Sequence, residues 1–259
     1  MTDAKASGKL TRPDGETLAY QTDRSAKPAG PTELVWLGGF KSDMTGTKAE
    51  ALSHWARGAD RNFLRFDYFA HGASSGDFRQ GTIGRWLDDA LTAIDTLTTG
   101  PLVLVGSSMG GWITLLAALA RPERVKALVL IAPAPDFTEA LMWAGFSDEI
   151  RATLKREGIY REPSEYDDEP YEITMKLIEE GRQHLLLGAP IDFRGPVRIL
   201  QGMQDESVPW QHAMRLVEAL TSEDVTINLS KTGDHRLSTA ADIARLVATV
   251  EDVLGVVEG

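Results

Sequence analysis

The run Pro101–Val105 constrains this chain more than any other segment. It is short, fully apolar and rich in β-branched residues, and segments with helical spacing stand on either side of it, Thr82–Leu97 before and Met109–Ala120 after. Such a strand has no polar face to offer water. It must be covered above and below, which is the situation of parallel sheets whose crossovers are helices. The alternation recurs along the sequence. Glu33–Leu37, Asn62–Phe69, Val125–Ile131, Val197–Gln201 and Val225–Leu229 read as strands. Thr47–Ala59, Trp210–Leu220 and Thr239–Leu254 read as helices. The expected fold class is α/β, with a mostly parallel central sheet and helices on both faces. A hairpin precedes it, pairing Lys9–Arg12 with Thr17–Thr22 around the turn Pro13-Asp14-Gly15.

The alternation fails once. Residues 136–194 carry 14 acidic and 7 basic side chains, together with Leu141, Met142, Trp143, Phe146, Ile150, Leu154, Ile159, Tyr160, Tyr166 and Tyr171. This composition predicts helical segments without strands, acidic outside and aromatic beneath. The expected organisation is therefore a core of residues 1–135 and 195–259 with a helical cap of residues 136–194. Long insertions of this kind are commonly functional.

The net charge of −11 argues against nucleic acid or an anionic membrane as partner. Its concentration in 136–194 favours neutral or basic substrates over polyanionic ones, if those acids line the entrance. The absence of cysteine excludes disulfides, thiolate catalysis and Cys-based metal sites. The longest apolar run, Val125–Pro135, is broken by Lys126 and falls short of the ~20 residues that span a bilayer. The opening MTDAKASGKLTRPDG has neither the apolar core of a signal peptide nor the Arg-rich pattern of a transit peptide, so a cytoplasmic protein is expected.

The chemistry is written most sharply in Gly106-Ser107-Ser108-Met109-Gly110. G-x-S-x-G is a common pattern, but here it directly follows a buried strand and directly opens a helix. That context makes a nucleophile elbow, in which the chain turns so tightly that glycines must flank the serine. Ser108 then stands at a helix N-terminus, where developing negative charge is favoured.

A serine hydroxyl needs a base. Of the five histidines, His235 lies just after the last strand and so at the carboxyl edge of the sheet, the edge that also carries Ser108. His54 falls on a helix, His184 in the insertion and His212 on a helix. His71 reaches the right edge, within a Gly/Ser loop that reads equally well as a turn. The orienting carboxylate is expected from Asp205, which follows Val197–Gln201 and preserves the chain order Ser, Asp, His. Glu206 and Asp234 are its rivals, and adjacency to His235 handicaps Asp234. For the oxyanion, the backbone N–H of Met109 and that of Phe40, after Leu37-Gly38-Gly39, are the expected donors.

These residues, with Met44–Ala49, Leu64–Tyr68, Gly106–Trp112 (GSSMGGW), Ala120–Glu123, Val208–Trp210 and Asp234–Arg236, resemble the α/β-hydrolase superfamily. Within it the chain is similar to the palmitoyl-protein thioesterase and acyl-glucuronide esterase group of abhydrolase domain proteins. The resemblance implies a serine hydrolase of thioesters or carboxyl esters with neither metal nor organic cofactor. It implies Ser108 as nucleophile, Asp205 as acid and His235 as base, and a small molecule or acylated protein as substrate. A carbon–carbon bond hydrolase or a small peptidase would keep the same serine. A non-catalytic binding module of the same fold is the alternative of another class. Haloalkane dehalogenases and epoxide hydrolases need a carboxylate where Ser108 stands.

Overall fold

The computed structural model describes residues 4–162 and 171–259. Eight strands form the central sheet: β1 (Ala4–Thr11), β2 (Thr17–Arg24), β3 (Glu33–Leu37), β4 (Phe63–Phe66), β5 (Leu102–Ser107), β6 (Val125–Ile131), β9 (Val197–Gly202) and β10 (Val225–Ser230). Their spatial order is β1-β2-β4-β3-β5-β6-β9-β10. β2 pairs antiparallel with both β1 and β4, and the remaining pairs are parallel.

Side-chain alternation along the strands builds two cores. In β5, Leu102 and Leu104 point to one face while Val103 and Val105 point to the other, and all four are fully buried. The first face is covered by helices α2 (Ile83–Leu97), α3 (Met109–Ala120) and α6 (Trp210–Ala219), which contribute Trp86, Trp112 and Leu216. The second is covered by α1 (Thr47–Gly58) and α7 (Ala240–Glu258), through Leu52, Val250 and Val253. Burying each such side chain stabilises the fold by roughly 1.5–3 kcal/mol. The starts of α2 and α7 are capped by side chains. Thr82 accepts from the Arg85 N–H, and Thr239 with Asp242 forms a reciprocal capping box.

The chain leaves β3 for β4 on one side and then crosses from β4 to β5 on the other. The carboxyl ends of β3 and β5 therefore flank a switch point in the strand order, where open α/β sheets place their sites.

Between β6 and β9 the segment differs from its expected all-helical form. It holds a π-helical turn (Thr138–Trp143), α4 (Asp148–Glu157), α5 (Met175–Gly181) and a 3₁₀ turn (Arg182–His184). It also holds two strands, β7 (Ile159–Glu162) and β8 (Tyr171–Thr174), paired antiparallel with each other alone. Phe146, Leu154, Ile173 and Ile178 form a small core inside it. Its base is closed by the buried Asp136, whose carboxylate accepts from the Leu186 and Leu187 N–H groups at 2.8 and 2.9 Å. Tyr166 lies outside the described residues.

Candidate active site

Ser108 joins β5 to α3 with φ 56° and ψ −120°, a conformation rare for a residue with a side chain and costing on the order of 1–3 kcal/mol. The surrounding glycines make it possible. A Cβ on Gly110 would stand under 3.0 Å from the Leu37 and Gly38 carbonyl oxygens, and one on Gly106 would meet Gly110 O and Thr114 Oγ1. The turn is tied to β6, because the Ser108 N–H donates to Ile131 O at 2.9 Å. The Ser108 hydroxyl is thereby held at the open end of the sheet.

His235 follows β10, and its Nε2 lies 3.0 Å from Ser108 Oγ. Its Nδ1 lies 2.8 Å from Asp205 Oδ2, in the loop after β9. The Asp205 side chain is fully buried, against 27% exposure for His235. A buried carboxylate must be satisfied, and this one is. Oδ1 accepts from the Ser207 and Val208 N–H groups at 3.0 and 2.7 Å, and Gln201 Nε2 donates to Oδ2 at 3.2 Å. The rival acids stand elsewhere: Asp234 accepts from the Leu237 N–H at 2.9 Å, and Glu206 is exposed.

Phe40 and Met109 line the same cavity as Ser108 and His235. Met109 is the first residue of α3, where backbone N–H groups have no helical acceptor. Gly39 passes so close to Ser108 that a Cβ there would touch its side chain at 3.4 Å. The Phe40 ring stands edge-on to Phe78, Trp86 and Phe137.

The cavity measures about 830 Å³. Its apolar lining includes Phe137, Leu141, Met142 and Phe146 from the segment after β6, and Val208. Lys41, Asp43, Lys48 and Arg236 are its charged lining residues. Among the described residues no acid of 136–194 lines the cavity, so the expected acidic entrance draws no support from them; Glu165, Asp167, Asp168 and Glu169 lie outside the described residues. Three of the described acids make ties instead, Glu139 to Arg182, Glu172 to Arg79 and Arg161, and Glu180 to the Gly84 N–H. Burial pushes Lys48 down to about 8, partly opposed by Asp234. Its Nζ donates to the Arg236 carbonyl beside His235.

Of the histidines, His235 alone lines the cavity. His54 is exposed on α1. His184 pairs with Glu180 at 2.7 Å, and the buried His212 meets Pro135 O at 2.7 Å. His71, at the carboxyl edge in its Gly/Ser loop, is buried against the loop that carries Phe40. Sequence reading assigns no role to Asp67. Its carboxylate links that loop, at Met44 N (2.6 Å), to the loop after β4, at Ala73 N (2.8 Å). Its position at the carboxyl end of a buried strand was the available signal. Among the described residues no cluster of three or more His, Asp or Glu side chains could hold a metal ion, and no helix is long and apolar enough to cross a membrane.

A strained serine at a strand-to-helix turn, hydrogen-bonded to a histidine on a mostly parallel sheet, defines the class of α/β serine hydrolases. Known proteins agree. The family profile described as alpha/beta hydrolase fold matches residues 48–157. The human protein named palmitoyl-protein thioesterase ABHD10, mitochondrial, is 38% identical over 95% of this chain and 79% of its own length. A crystal structure of a putative hydrolase from Agrobacterium vitis S4 superimposes with a TM-score of 0.91 at 42% identity, covering 98% of this chain and 99% of that one. The alpha/beta hydrolase domain-containing protein 10 from mouse gives 0.88 at 37% identity, with 96% and 98% covered. The chain belongs to the alpha/beta hydrolase family, in the group of the ABHD10 proteins, and is a serine hydrolase.

Proposed function

We propose that the chain hydrolyses a thioester or carboxyl ester of an apolar acyl group through an acyl-enzyme on Ser108. The observation that carries this reading is the hydrogen-bonded line from Asp205 Oδ2 through His235 to Ser108 Oγ, opening on the large cavity. Ser108 Oγ attacks the acyl carbon as its proton passes to His235 Nε2. Asp205 holds the Nδ1–H and stabilises the imidazolium. The Phe40 and Met109 N–H groups receive the oxyanion, each worth about 3–4 kcal/mol in such sites. Collapse breaks the acyl–S or acyl–O bond, and the leaving group departs with the proton from His235. Water, deprotonated by His235, then repeats the attack and frees Ser108.

Residues 136–194 act as a cap over a core of 1–135 and 195–259, with Phe137, Leu141, Met142 and Phe146 as the acyl wall. The name palmitoyl-protein thioesterase carried by the relatives supports a long acyl chain. The apolar lining of the cavity supports it independently. The same names say mitochondrial, so the cytoplasmic expectation draws no support from them. Fractionation of the native host separates the two.

Rates on an S-acyl-cysteine peptide and on p-nitrophenyl esters of short and long acids test this function. The long acyl thioester should be turned over, and Ser108→Ala should abolish turnover. Hydrolysis by the Ser108→Ala variant at the wild-type rate would overturn the reading.

A further inference from the structure

We propose that His71 is a positioning residue that fixes the oxyanion loop, by accepting the Lys41 N–H and so aiming the neighbouring Phe40 N–H at the reacting carbonyl. The proposal rests on the assignment of Phe40 as an oxyanion donor. Its basis is the tautomer. His71 Nδ1 lies 3.0 Å from the Phe69 carbonyl oxygen, which can only accept. Nδ1 therefore carries the proton, and Nε2 is left with a lone pair. The Lys41 N–H donates to that lone pair at 3.1 Å. The Phe69 carbonyl is fixed in turn, by Trp86 Nε1 at 3.2 Å, and the Phe69 N–H is held by the buried Asp89 carboxylate at 2.8 Å.

The bond falls where the loop most needs it. Ser42 N–H donates to Gly39 O at 3.1 Å, so Gly39–Ser42 is a tight turn with Phe40 and Lys41 at its centre. Lys41 has φ 54°, a left-handed conformation that a residue with a side chain adopts only when held. The Phe40 N–H belongs to the preceding Gly39–Phe40 peptide, joined to the central Phe40–Lys41 peptide at Phe40 Cα, so anchoring the Lys41 N–H limits how far the turn, and with it that donor, can swing. Met44, bonded to Asp67, pins the far end of the loop, and His71 pins its centre. The imidazole is itself caged by Tyr68, Phe78 and Trp86 at ring distances of 5.3–5.7 Å, and Phe78 and Trp86 also hold the Phe40 ring.

Two variants separate positioning from packing. The carbonyl of Gln in His71→Gln reaches the place of Nε2 and can accept from Lys41. In His71→Asn the amide can donate to Phe69 O but is too short to reach Lys41. The expected result is that His71→Asn lowers kcat about 10- to 100-fold with KM little changed. Its affinity for a trifluoromethyl ketone analogue should weaken in parallel, while His71→Gln stays within about 3-fold of wild type. The Lys41 amide of the wild-type enzyme should also exchange slowly with solvent. Equal kcat in both variants, losses confined to KM, or a rapidly exchanging Lys41 amide would overturn the assignment. Ser108→Ala run alongside distinguishes that outcome from a failure of the serine chemistry itself.

Discussion

Asp205 and His235 meet at 2.8 Å with the carboxylate already anchored by two backbone N–H groups and the Gln201 amide. The acid is thus anchored independently of the histidine, and it dictates which imidazole nitrogen keeps its proton. In Asp205→Asn the amide can face Nδ1 as a donor and hold the wrong tautomer. The expected loss is about 10³–10⁴-fold in kcat, with little change in KM. Steady-state kinetics, with ¹⁵N shifts of the His235 ring, check it.

Gly110 makes the second prediction. Any Cβ there strikes the Leu37 and Gly38 carbonyls, which belong to a buried strand end and cannot rotate aside. Gly110→Ala should lose about 3 kcal/mol or more, or fail to fold. Gly58, at the end of α1, has nothing within 4 Å of its Cβ position. Gly58→Ala should be neutral or stabilise by up to about 1 kcal/mol. Urea titrations of both variants make the comparison.

His71 should also leave a mark on stability against pH. Burial pushes it down to about 4, with Lys41 adding to the effect and the Phe69 carbonyl opposing it. The unfolded chain therefore binds a proton near pH 6.5 that the folded chain refuses until about pH 4. Stability is full above the unfolded value and drains as the pH falls through this window, by about 3 kcal/mol in all. In His71→Gln, the decline between pH 6.5 and 4 should be shallower by a comparable amount. Denaturant midpoints at pH 7 and pH 4.5 measure the difference.

Leu141 lies on the π-helical turn and lines the cavity beside the other apolar residues of its segment. Filling the space beside them should select against long acyl chains and leave the serine untouched. Leu141→Trp should lower kcat/KM for a long-chain substrate about 10-fold or more, and for an acetyl ester by less than about 3-fold. Paired kinetics on the two substrates check this.

Much of this was legible in the sequence because buried parallel strands announce themselves. Glu33–Leu37 and Val125–Ile131 occupy the stretches their apolar composition marks, and Met109–Ala120 runs from the elbow to the residue before Arg121-Pro122. Chain order and the shared carboxyl edge placed Ser108, Asp205 and His235 within reach of one another. Ile159–Glu162 and Tyr171–Thr174 escaped notice for the opposite reason. They are four-residue strands that pair only with each other, and local composition does not reveal such pairing. The ties of His71 are to backbone atoms, one of them 30 residues away, so its side chain gives no sequence signal of what it holds. The acids of 136–194 were visible, but whether they faced the cavity or each other's basic partners depended on packing alone.

The central claim is that Ser108 carries the acyl group, and covalent labelling tests it most directly. The wild-type chain treated with a fluorophosphonate should gain the mass of one adduct, mapped by peptide sequencing to Ser108, with activity lost in step. The Ser108→Ala chain should gain none. A full adduct on Ser108→Ala, or an adduct mapped to another residue of the wild type, would contradict the account.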